Sequence, residues 1–458
     1  MKKTIYSTIL LFFILMNNVK AQDYLSFYNL GDYVIQTQNI SPIYLPKYKV
    51  NFGTPLNIGF NLNSGIKLND ILVESGNNIK IDFNNLNASA ADANVVATDI
   101  VANIFMLGFK TKKGSLTLFA NAKSNLAWEF SKDFTTVAAN GFGESFSLTA
   151  EKLGFTSYSE IGIGVTRTFL DDKLSIGLRL KSLSGIAHSS LEDGAQFSLD
   201  INPANFIWTL NTTNATVNTS GVSDTADIIA FFGKNSGFGM DIGLGYEINE
   251  KFSFELSIND LGSINWKDNV TNYNLQDVSN GVYNGFDFQN SGNVQDEIEN
   301  ALNNVLGATE SQESFKSKIG SRTFFSAKYK MSEKNVFRAT YFYNKNPYIS
   351  IKPSYALGYN RELNKTTYGL VASTGGNNGG FRLGANLAVQ LGFLQLYTAL
   401  DDLSSIGGKV QDSNTANFRF GMNFLFRQLN KSKVKIDNEE QKKEELLEET
   451  MNKSIIIK

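Results

Sequence analysis

No cysteine occurs anywhere in the 458 residues. That excludes disulfides, thiol nucleophiles, cysteine–metal sites and a lipidated cysteine at a mature N-terminus. There is one histidine, His188. A histidine cluster is therefore impossible, and a His-dependent triad would have to use His188 with no G-x-S-x-G element to accompany it. It reads as a loop histidine near a strand end. Asp70, Asp82, Asp171, Asp172, Asp401 and Asp402 are scattered over turns and loops without the spacing of a calcium loop. The chain is read as a non-enzyme with no cofactor. Charge is also scarce: 19% of residues are charged and the net charge is −2, which leaves no electrostatic case for nucleic acid. Beyond the N-terminus no apolar run approaches the 18 or so residues of a membrane-crossing helix.

What is abundant is aromatic: 35 Phe and 18 Tyr, with 38 Gly against 6 Pro. The chain starts Met1-Lys2-Lys3, continues through the unbroken apolar run Ile9–Met16, and reaches Val19-Lys20-Ala21. This is the layout of a secretory signal peptide over 1–21, with the expected cut after Ala21. An exported, aromatic-rich chain without a spanning helix leaves two classes, a soluble β-protein and an outer-membrane barrel.

Period-2 alternation runs through most of the mature chain. Leu174, Ile176, Leu178 and Leu180 alternate with Ser175, Gly177, Arg179 and Lys181. The same pattern recurs in Met240–Ile248, Phe252–Ile258, Thr323–Met331, Ile349–Tyr359, Leu383–Val389 and Phe418–Phe426. A half-buried soluble sheet alternates too, so the connections have to decide. Strands are expected at 47–62, 98–111, 114–130, 156–170, 173–187, 237–249, 251–266, 321–331, 335–345, 348–361, 365–374, 380–391, 393–401 and 417–427. Every second link is a tight turn, such as Asp171-Asp172 or Gly392, while the others are mostly long: 63–97, 131–155, 188–236, 267–320 and 402–416. That parity is the pattern of periplasmic turns below and extracellular loops above. The fold expected is a 14-stranded antiparallel transmembrane β-barrel over 47–427, with both ends in the periplasm. It is expected in the outer membrane of a Gram-negative cell, in contact with lipid.

Residues 22–46 hold Tyr24, Phe27, Tyr28 and Tyr33 before the first strand. Four aromatics in so short a stretch are costly to leave in water, and the lumen is the nearest place to bury them. An N-terminal plug is the expectation. The stretch 428–458 turns abruptly to Glu and Lys and reads as a charged periplasmic tail. Asp260-Leu261-Gly262-Ser263-Ile264 is echoed by Asp402-Leu403-Ser404-Ser405-Ile406 at the outer ends of the seventh and thirteenth strands. The favoured reading is an Asp that caps a bend through its side-chain oxygens; the alternative is a motif lining a mouth or lateral gap.

Three stretches carry a family resemblance. Gln38–Pro42 with Lys49–Pro55 resembles the start of Bacteroidota outer-membrane proteins, and Ile258–Trp266 resembles the D-L-G-x-I-x-W strand end of the same group. Leu396–Leu403, with Asp401 and Asp402, matches it less fully, lacking the glycine and the tryptophan. That group has no assigned function and a barrel similar to the long-chain fatty acid transporters. The resemblance implies fourteen strands and a plugged lumen. It also implies transport of a hydrophobic or poorly soluble small molecule. The alternative is a non-conducting barrel that serves other outer-membrane or periplasmic proteins in secretion, assembly or surface anchoring.

Overall fold

The computed structural model describes residues 24–428, except 76–77, 141–146, 150–151, 193–194, 203, 206, 222–232, 283–307, 377–379 and 404–414. The expected signal peptide and all but the first residue of the expected charged tail lie outside these residues.

Fourteen strands close into one antiparallel barrel. They are β1 (in two runs, Tyr48–Gly53 and Asn57–Ser64), β2 (Ala93–Thr111), β3 (Gly114–Ser131), β4 (Lys152–Phe169), β5 (Leu174–Leu191), β6 (Ser236–Glu247) and β7 (Phe252–Trp266). The second half holds β8 (Ser321–Lys330), β9 (Asn335–Lys345), β10 (Ser354–Glu362), β11 (Thr366–Gly375), β12 (Arg382–Leu391), β13 (Leu394–Leu400) and β14 (Thr415–Gln428). Each strand pairs with the next, and β1 pairs with β14 through Val50↔Phe426 and Phe60↔Phe418, so no edge is left open.

The alternation is what makes the barrel. Leu178, Leu180, Ile242, Leu244, Phe254, Leu256, Leu357 and Leu370 are exposed on the outside, while Arg179, Lys181, Asp241 and Glu255 between them are buried on the inside. No lumenal or watery surface explains an unbroken outward belt of this kind; a bilayer does. Exposed Phe109, Phe169, Phe252, Phe337, Tyr368 and Phe393 ring the end with the short turns, and Phe238, Tyr355 and Phe381 mark the other end. These are the two aromatic girdles of a membrane barrel. The turns are built by residues suited to them. Leu170, Asp171 and Asp172 all take positive φ, and the Asn249 side chain accepts from the backbone N–H groups of Lys251 and Phe252, 2.9 Å each.

The boundaries differ from the sequence reading in three ways. The first strand is broken at Thr54-Pro55-Leu56, where proline cannot donate to the ladder. The strands β2, β4 and β5 run several residues further outward than expected, because above the lipid nothing forces alternation. Ile349 and Ile351 alternate but belong to the loop 346–353, where they pack inward on Ala127. Within the long outer connections, short strands 147–149, 196–201, 207–213 and 278–282 form a separate sheet. A helix at Phe83–Ser89, capped by the Asp82 side chain, packs on a second at Lys132–Asn140.

Candidate functional site: the barrel lumen

Residues 24–46 pack against inward-facing side chains of the barrel wall. A short helix, Leu25–Tyr28, is followed by 3-10 turns at Gly31–Tyr33 and Ile35–Asn39, and nearly every residue is buried. Tyr24, Leu25, Phe27, Tyr28, Tyr33 and Tyr44 form one apolar cluster with Phe324, Phe342, Val371 and Tyr397 of the wall. Phe27 stacks on Tyr397 at 5.7 Å between ring centroids and Tyr28 on Phe324 at 4.7 Å. The wall makes room for this segment with glycine. A Cβ at Gly53, Gly108, Gly177, Gly358 or Gly384 would come closer than 3.0 Å to Gln36, Ile35, Pro42, Asn29 or Ser26 respectively.

Polar contacts reach the segment from all sides. Asp401 accepts from the backbone N–H groups of Tyr24 (2.8 Å) and Ser26 (2.6 Å). Asn29 and Asn360 exchange hydrogen bonds, as do Gln36 and Asn423. Gln395 donates to the Tyr33 carbonyl (2.6 Å). Arg179 donates to the Gln38 carbonyl and to Asn39 Oδ1, both at 2.7 Å, and its guanidinium lies 3.6 Å from the Phe119 ring centroid. Asn259 donates to the Ile40 carbonyl (2.8 Å).

Two layers of buried charge hold the wall around it. In the layer nearer the short turns, Glu255 meets Lys328 (3.2 Å) and Arg338 (3.4 Å) and accepts from the hydroxyls of Tyr28 (3.1 Å) and Tyr44 (3.0 Å). In the outer layer Asp260 takes Lys123 (2.8 Å), Lys181 (2.5 Å) and Arg322. Glu160 shares Lys123 and Lys181, Asp241 takes Lys181 and Arg179, and Arg322 also reaches Asp99 at 3.5 Å. Buried charges on this scale survive because each has partners. Among the described residues no group of His, Cys, Asp and Glu is arranged to hold a metal.

The sequence motif around Asp260 meets a different fate from the bend cap it suggested. There is a bend: Asn259 and Asp260 together face Asp241 in a β-bulge, with Asp260 at φ +60°. The Asp260 side chain, however, serves the ion network rather than the turn. Asp402 accepts from Thr415 Oγ1 (3.1 Å) and lies 4.0 Å from Arg382, outside the Asp260 network; Leu403 alone of the remaining motif is described. Trp266 is fully buried beyond the lipid belt, donating to Ser317 Oγ (2.8 Å) and lying 4.9 Å from the His188 ring. His188 is a buried residue of β5, bonded to Thr156 (3.0 Å) and Ser190 (2.9 Å), not a loop histidine. Tyr348 of the neighbouring loop also bonds Thr156, and burial pushes its hydroxyl up to about 12, so it stays a proton donor.

No curated protein matches the chain. Among solved structures, the toluene transporter TodX of Pseudomonas putida is 8% identical with a TM-score of 0.40, over 88% of this chain and 97% of that one. A FadL homologue of Pseudomonas aeruginosa is 10% identical with a TM-score of 0.44, over 90% and 100%. The toluene transporter TbuX of Ralstonia pickettii is 9% identical with a TM-score of 0.32, over 85% and 94%. In sequence, residues 42–401 match one family model, which takes in the last of the lumenal segment, strands β1 to β13 and Asp401. By that extent the chain belongs to the Family of unknown function (DUF5723).

Proposed function

We propose that this is an outer-membrane barrel closed by its own residues 24–46, a gated passage for a small molecule between the cell exterior and the periplasm. The observation that carries the reading is the fit between segment and wall. Glycines stand where Gln36, Ile35, Pro42, Asn29 and Ser26 approach the wall, and at Gly177 a Cβ would meet the Pro42 backbone itself, so a side chain there would displace the segment. A barrel with no need of a closed lumen has no reason to keep those positions bare.

The family resemblance supports a hydrophobic or poorly soluble passenger. In the closed state the apolar faces of the segment and the wall cover one another, so an apolar passenger needs the segment displaced first.

Deleting residues 24–40 from the mature chain tests the closure directly. Single-channel conductance in planar bilayers is expected to rise from near zero to that of an open pore. A deletion that folds and stays closed overturns the gate and favours the other reading, a non-conducting barrel that serves partner proteins.

A further inference from the structure

On the outer side of Tyr24 lies a cavity of about 50 Å³, lined in part by Tyr24, Asn61, Asp99, Lys123 and Arg322. By volume it takes roughly three or four waters, or one halide-sized ion with a water or two. An organic solute does not fit.

The unspent hydrogen-bonding capacity here is of one kind. Tyr24 is 2% exposed and Asn61 4%, and the Tyr24 hydroxyl and Asn61 Nδ2 are buried without a partner. Two further buried donors without a partner, Nε and Nη2, belong to Arg419. Amide and guanidinium N–H groups can only donate, and a tyrosine hydroxyl can donate too. Arg419 of β14 pairs with Gly59 of β1, two residues from Asn61 on the same inward face. The bare position at Gly59 lets the guanidinium lie on the strand, since a Cβ there would come 2.8 Å from its Cζ. That Cζ is 4.1 Å from the Tyr24 ring centroid, and the Cζ of Arg322 is 4.8 Å from it.

Charge points the same way. The outer ion layer sets Lys123, Arg179, Lys181 and Arg322 against Asp99, Glu160, Asp241 and Asp260. Cations and carboxylates there match in number, and the carboxylates of the cavity lining, Asp99 and Asp260, are both paired. Arg419 stands beside this layer with no ion pair among the described residues. Asp401, the next carboxylate on that side, is taken by the backbone N–H groups of Tyr24 and Ser26. A buried guanidinium without a counter-charge is costly, and a small anion relieves that cost.

We infer that this cavity binds a small monovalent inorganic anion of the size of chloride. The Tyr24 hydroxyl and the Asn61 amide donate to it, and Arg419 supplies the charge that it answers. An anion there ties the start of the closing segment to β1, so occupancy favours the closed state. The inference goes beyond the proposed passage and shares with it only Tyr24.

The test uses the intact mature chain in dodecyl maltoside, a detergent without charge, exchanged into sodium gluconate. Sodium chloride is titrated in at constant ionic strength while the chloride NMR linewidth is followed. Saturable broadening is expected, displaced by bromide and not by sulfate. Tyr24→Phe removes the hydroxyl alone and Asn61→Leu the amide. Each, checked for heat-modifiable migration, is expected to weaken binding about tenfold, the loss of roughly one hydrogen bond to a charged group. Absence of saturable broadening means that the cavity holds water only and overturns the inference. Equal displacement by sulfate, or binding that neither variant weakens, means an adventitious surface ion only and overturns it too. Linewidth is read without conductance, so the anion site and the gate fail separately.

Discussion

Leu178 and Arg179 are neighbours that face opposite solvents, lipid and lumen, and the consequences of changing them differ in kind. Leu178 is among the exposed apolar residues of the belt. Leu178→Arg puts a charge into hydrocarbon at a cost of ~2–4 kcal/mol near the midplane. Refolding into lipid vesicles across a urea series is expected to show the loss; wild-type behaviour would mean the register of β5 is wrong. From sequence, Arg179→Leu is mild unless Arg179 pairs inside the barrel, and it does pair there. The guanidinium holds Gln38 and Asn39 and pairs with Asp241 at 3.6 Å. Its removal leaves a buried carbonyl without its donor and Asp241 with Lys181 and the Asp260 N–H, a cost of about 2–4 kcal/mol. The same urea series should show it, accompanied by channel openings that Leu178→Arg lacks.

At the scale of elements, the contact between Gly177 of β5 and Pro42 is the sharpest lever on the segment. A Cβ at Gly177 meets the Pro42 backbone closer than 3.0 Å, whereas one at Gly239 of β6 meets only side-chain atoms of Leu183 and Lys181 at 3.5 Å or more. Gly177→Val is therefore expected to raise open probability in planar bilayers and Gly239→Val to leave it unchanged; equal effects would show that the segment's seat on β5 does not control closure. The strands themselves were legible because lipid enforces a strict period of two. Legibility ended where lipid ended. Ala93–Ala97 and Lys152–Phe155 are strand without an alternation to betray it, and Ile349 with Ile351 alternates by chance of packing against Ala127. The ion layers were invisible as layers, since Lys123, Glu160, Lys181, Asp260 and Arg322 come from five strands far apart in sequence. Each was still marked individually: a charged residue between apolar neighbours on a membrane strand has only the lumen to face. The cluster of aromatics in 24–33 pointed to burial, but the glycines that receive the segment gave no sign, because a lumenal glycine and a turn glycine look alike until the partner is known.

For the molecule as a whole, closure of the ladder between β1 and β14 removes every free edge of the barrel. Intact protein is expected to migrate faster on unheated gels than after boiling, and a chain that never shows the faster band has not closed. Closing the ring requires the first strand to find the last, the most distant pairing in the sequence and so the slowest to form by chance encounter. The segment just before β1 already holds that far side of the barrel: Tyr24 to Asp401, Asn29 to Asn360, Tyr33 to Gln395 and Gln36 to Asn423. A chain whose leader docks on the last five strands delivers β1 to its partner at high effective concentration. Asn29→Ala combined with Gln36→Ala should then slow the appearance of the faster band during refolding, and an unchanged rate would separate the segment from assembly. A slowed band would make the segment a tether for the seam, the residues packed on the wall of the finished barrel being the ones that bring its two ends together.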